Sequence, residues 1–182
     1  MTQARRRSAQ KAARLRAAAF HEAGHAAVLW HFGLPTTLVN IVPGTYARGQ
    51  HTHPPPLMLE SASTVRERRQ VARQMILSTY AGMSAQRLVE PSSSSWHEED
   101  DDQGAFELSM EYGVLPRGCG FVGDEEHTRY LNGLRREAAR LVKRLSREIE
   151  ALAEELMRKK KMTGAQVAAF FERMTATEEG GH

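Results

Sequence analysis

The chain has 182 residues, 41% of them hydrophobic and 26% charged, and carries a formal net charge of +3. That balance fits one globular domain, with room for a helical appendage, whose core needs no disulfide staple. It offers no apolar run near the roughly 18 residues a membrane span needs, no signal-peptide pattern, and a single cysteine, Cys119, which excludes an internal disulfide and any multi-cysteine metal site.

The first element predicted is a helix over about residues 8–32, alanine-rich and free of proline, stopped by Phe32-Gly33-Leu34-Pro35. Its approach is basic: Arg5, Arg6, Arg7, Lys11, Arg14 and Arg16 all precede the first acidic residue, Glu22. Such an arm can touch nucleic acid or an anionic surface. No aromatic residues interleave the basic ones, so the plainer expectation is a solvated, partly frayed helix start. Thr37 to Val42 reads as a short strand closed by Pro43-Gly44. Residues 44–63 hold three consecutive prolines and read as a loop, with a second short strand near Gly49. A helix is expected from about Thr64 to Glu90.

After Pro91 and four serines, the acidic run Glu98-Glu99-Asp100-Asp101-Asp102 opens a helix ending near Tyr112-Gly113. Acidic residues suit that end, where backbone N–H groups are unpaired. Residues 113–124 are a glycine-rich loop. From about Glu125 to Lys161 an apolar stripe through Leu131, Leu134, Ala138, Leu141, Leu145, Ile149, Leu152 and Leu156 predicts one long helix. Met162-Thr163-Gly164 breaks it, a short helix spans about 165–174, and 175–182 is expected to be a disordered tail.

The chemistry concentrates in His21-Glu22-Ala23-Gly24-His25, an HExxH pattern inside the first helix. Residues four apart share a helix face, so both imidazoles can reach one metal ion. Glu22, one position round, can act on a metal-bound water as general base. A catalytic zinc site needs a third protein ligand and an open position. His31 has the spacing of HExxHxxGxxH proteases, but Val28 stands where glycine would turn the chain back. A continuing helix rotates His31 about 240° away from His25. Glu60, Glu67, His51, His53 and the acidic cluster 98–102 remain as candidates.

Several segments in order carry a family resemblance. They are His-Glu-Ala-Gly-His-Ala at 21–26, Leu-Val-Asn-Ile-Val-Pro at 38–43, and Tyr-Ala-Gly-Met-Ser-Ala-Gln-Arg-Leu at 80–88. Further on come Asp-Asp-Gln-Gly-Ala-Phe-Glu-Leu at 101–108, Glu-Tyr-Gly at 111–113, and the helical region from Glu137 to Gly164. Over about residues 18–172 the chain resembles the peptidase domain of FtsH-type ATP-dependent zinc metalloproteases. The resemblance implies His21, His25 and Asp101 as ligands of one Zn2+ ion, with Asp100 and Asp102 as register alternatives, and Glu22 as the catalytic base. Gln86 stands where the family has glutamate, and Ser92 to His97 replace the family's threonine-glycine approach to the third ligand. No GxxxxGK[ST] occurs, so ATP binding is not expected.

The expected fold is mainly α: a helical zinc metallopeptidase domain (18–174) after a basic arm (1–17), with a minor β element after the HExxH helix. The expected function is an ATP-independent, cytoplasmic zinc metalloendopeptidase acting on flexible or unfolded polypeptides. Strand 38–42 would offer an edge to an extended substrate, and self-association is implied by the family's rings. The alternatives are a catalytically silent zinc-binding adaptor and a nucleic-acid-associated regulator using the basic arm.

Overall fold

A computed structural model describes residues 2–42, 50–51, 62, 64–91, 97–112, 114 and 125–179. In chain order the elements are α1 (Gln3–His31), β1 (Leu38–Asn40), β2 (Gln50–His51), α2 (Val65–Gln86) and α3 (His97–Glu111). They continue with α4 (Glu125–Arg144), α5 (Ser146–Lys159), β3 (Lys161–Thr163) and α6 (Gly164–Glu179). The protein is mainly helical, as its composition and periodicity imply. No helix among the described residues is long and apolar enough to cross a membrane.

Helix α1 ends as its sequence dictates. Gly33 takes φ +69°, and its N–H bonds the Trp30 carbonyl while Leu34 N–H reaches back to Leu29. This paired closure satisfies carbonyls that the helix end would otherwise strand. The helix starts at Gln3, earlier than expected, so the basic segment is helical, and residues 2–14 are exposed throughout. Ala17 and Ala19 to Leu29 are buried instead.

That inner half lies against α2, whose start is fixed by Thr64 and Glu67: each side chain bonds the other's backbone N–H. The approach is close because the facing residues are small. A Cβ on Gly24 would sit 2.6 Å from Ala85 Cβ and 2.7 Å from the Ala81 carbonyl oxygen. Helices α3 and α4 pack on α2, and α5 packs on α1. Leu134, Ala138, Leu141 and Val142 of α4 enter the same core as Ile149, Leu152, Ala153 and Leu156 of α5. Each fully buried leucine or isoleucine there contributes about 1.5–3 kcal/mol.

Four expectations are corrected. The long helix 125–161 is interrupted at Leu145, although backbone bonds from Leu145 to Leu141 and from Ile149 to Leu145 run through the break. The apolar stripe continues across it, which hides it from periodicity. Residues 161–163 are not merely a helix break. After the left-handed cap at Lys160 (φ 67°) they form β3, paired antiparallel with β1 as Leu38↔Thr163, Val39↔Met162 and Asn40↔Lys161. The sheet order is β2-β1-β3, so β1 is the middle strand and is not available as an edge for substrate. Helix α6 runs to Glu179, so 175–179 is helix rather than disordered tail.

Candidate metal centre

Helix α1 carries His21, Glu22 and His25 into the interior, where they are 3%, 2% and 4% exposed. Charged and polar side chains are rarely buried this deeply unless something holds them. For His25 the hold is explicit. Its Nδ1 lies 2.8 Å from the Ser78 carbonyl oxygen of α2, and Ser78 Oγ donates back to the His25 carbonyl at 3.0 Å. A carbonyl only accepts, so the proton sits on Nδ1 and Nε2 presents its lone pair. That lone pair points toward His21 Nε2, 3.0 Å away. The two rings meet edge to face, with centroids 4.6 Å apart and planes at 82°.

The space for these rings comes from α2. A Cβ on Gly82 would lie 2.4 Å from His25 Nε2 and 2.9 Å from His21 Cε1. Any side chain there would displace the imidazoles. A glycine inside a helix signals close approach of a neighbour, and Gly82 falls within the segment 80–88 already singled out.

Helix α3 supplies the third side chain. Asp101 Oδ2 is 3.7 Å from His21 Nε2, and its Oδ1 is 3.8 Å from His25 Nε2. Its neighbours go elsewhere: Asp100 is exposed, and Asp102 pairs with Arg135 of α4. His21, His25 and Asp101 thus offer donor atoms all within 4.8 Å of one another, the one such group among the described residues.

The donor set fits a zinc ion. Taking one donor atom from each residue, the two imidazole nitrogens and a carboxylate oxygen lie within 4.8 Å of one another, and nitrogen and oxygen donors of these kinds are ones zinc takes. Among the described residues two imidazoles and one carboxylate would hold the ion, three protein ligands being the number found in catalytic zinc sites. Beside this set, burial pushes the Glu22 carboxyl well above its ordinary range, and the charge of Asp101 adds to the rise. Glu22 Oε2 is buried and has no hydrogen-bond partner among the described residues. An acceptor this deep without a donor is costly unless a ligand or water completes it.

The other sequence candidates stand apart. His31 is exposed in the last turn of α1, against Phe32. Glu67 serves the cap of α2. His51 contributes backbone to β2, while His53, Glu60 and Cys119 lie outside the described residues. Gln86 is buried, and its amide donates to Glu90 Oε2 at 3.1 Å. The sequence alone did not show the roles of Ser78, Gly82 and Arg135, or a third buried histidine. His127 is 3.0 Å from Ser109 Oγ and stacks on Phe106, joining α3 to α4. No family model matches this chain, and no curated protein matches it.

Proposed function

We propose that the protein is a zinc metallopeptidase that hydrolyses peptide bonds of flexible or unfolded polypeptides in the cytoplasm. His21, His25 and Asp101 hold the ion, and Glu22 is the general base. The observation that carries this reading is the convergence of two imidazole Nε2 atoms and one carboxylate around a shared point, with a buried carboxyl beside them. The resemblance to the FtsH-type peptidase domain supports the same assignment.

A zinc ion bound there supplies Lewis acidity, polarising a carbonyl and acidifying a water. The chain's own residues do the rest. Glu22 accepts the proton of the attacking water and returns it to the leaving amine nitrogen. Ser78 fixes the His25 tautomer so that Nε2 stays a lone-pair donor. Asp101 brings a negative charge that offsets part of the ion's charge.

The test strips the protein with a chelator, restores zinc, and follows cleavage of an unfolded, fluorescently labelled polypeptide with and without ATP. Zinc-restored cleavage that ignores ATP is the expected result, with His25→Ala inactive and unable to retain zinc. Cleavage that survives chelation contradicts the proposal.

A further inference from the structure

Three consecutive aspartates, Asp100, Asp101 and Asp102, sit on one helix, and successive residues differ by about 100° in direction. Turning α3 by one residue would exchange the side chain facing the histidines. Some contact must therefore set its rotation. Arg135 of α4 contacts the residue next to Asp101. Its Nη2 bonds Asp102 Oδ1, and its Nη1 donates to Asn132 Oδ1 at 3.2 Å. Its guanidinium centre lies 5.0 Å from the centroid of the Tyr80 ring. Tyr80 is only 3% exposed. It sits on α2 between Ser78, which orients His25, and Gly82, which clears space for both rings.

We infer that Arg135 is a positioning residue: it engages Asp102 and thereby presents Asp101 to the two histidines. The inference rests on the metal-centre reading above. An exposed ion pair contributes little by itself, and Arg135 and Asp102 are 37% and 43% exposed. The stacked, planar guanidinium is different because it fixes direction as well as charge. It ties the residue beside Asp101 to the helix that holds His25.

A second ion pair made by α4, this one to α2, provides the control. Arg73 of α2 meets Glu137 of α4 at 2.6 Å, with 40% and 34% exposure, and that pair does not involve α3. Zinc affinity of the full chain would be measured by competition with a chromophoric chelator. Folding would be followed by circular dichroism, and His25→Ala would mark the loss of the site. Arg135→Ala and Asp102→Asn are each expected to weaken zinc binding about 10–100-fold. Arg73→Ala should bind as the native protein does. Arg135→Lys keeps the charge without the planar stack and should fall between. If Arg135→Ala fails to fold, Asp102→Asn and Arg135→Lys carry the test. Native-like zinc binding by Arg135→Ala and Asp102→Asn overturns the inference, as does an equal loss in Arg73→Ala. A native chain that binds no zinc overturns it together with the metal centre, and is told apart because the unsubstituted protein itself fails.

Discussion

The two halves of α1 have similar building material and opposite fates. Both are rich in alanine, so intrinsic propensity favours helix in each. Residues 2–14 remain in water and carry Arg5, Arg6, Arg7, Lys11 and Arg14. Residues 19–29 are buried completely, and they include two histidines and a glutamate. The difference lies in what the alanines face. In the inner half, Gly24 lets α2 come to contact distance, and α5 covers α1 as well. Small residues therefore serve two ends there: they build the core and they dry the ionisable groups. The polar groups are buried where α2 offers a carbonyl and clearance and α3 brings a carboxylate to face the imidazoles.

The comparison breaks first at Gly24. Alanine is the better helix former by about 1 kcal/mol, yet its Cβ would press on Ala85 Cβ and on the Ala81 carbonyl. Gly24→Ala should destabilise the fold by about 1–3 kcal/mol. The check is a lowered urea midpoint at unchanged m-value. An unchanged midpoint would mean that the helices do not meet there.

The outer half sharpens the contrast. Deleting residues 2–14 removes exposed helix only, so stability should change by less than about 0.5 kcal/mol. Zinc binding should be the same. A large fall in either would assign the basic segment a structural role.

The smallest expected effect belongs to α5, where Glu155 lies partly exposed between Arg158 and Lys159. Arg158 and Lys159 hold the Glu155 carboxyl down to about 2, from an ordinary value of 4.5. A lowered carboxyl pKa stabilises the folded state above the ordinary value, and the gain fades as pH falls toward 2. Solvent screening limits it to less than about 1 kcal/mol. The stability difference between the native protein and Glu155→Gln should therefore be small at pH 7 and shrink between pH 4.5 and pH 2.

Sequence reading was strongest where one helix carries its own pattern. The HExxH spacing placed His21, Glu22 and His25 on one stretch of helix, and the apolar stripe marked the core face of α4 and α5. It was weakest where a partner far along the chain decides the outcome. Lys161-Met162-Thr163 is too short to alternate visibly, and it becomes a strand because Leu38–Asn40 pairs with it. The polar end of α6 showed no apolar face, yet it stays helical, with Thr175 Oγ1 bonded to the Phe171 carbonyl. In the acidic run, the residues alone left Asp100, Asp101 and Asp102 equivalent. The resemblance singled out Asp101, and the fold turns that residue toward the histidines while Arg135 occupies its neighbour. Gly82 and Ser78 act through contacts with α1, more than fifty residues away, which no local pattern encodes.

The proposed hydrolysis depends most directly on proton transfer by Glu22. Glu22→Gln replaces one carboxylate oxygen with an amide nitrogen and leaves His21, His25 and Asp101 in place. Its turnover of an unfolded polypeptide would be measured beside the native protein, with bound zinc quantified in both samples. Equal zinc and a fall in kcat of about 10²–10⁴-fold are expected. Equal zinc with undiminished turnover would contradict that role for Glu22.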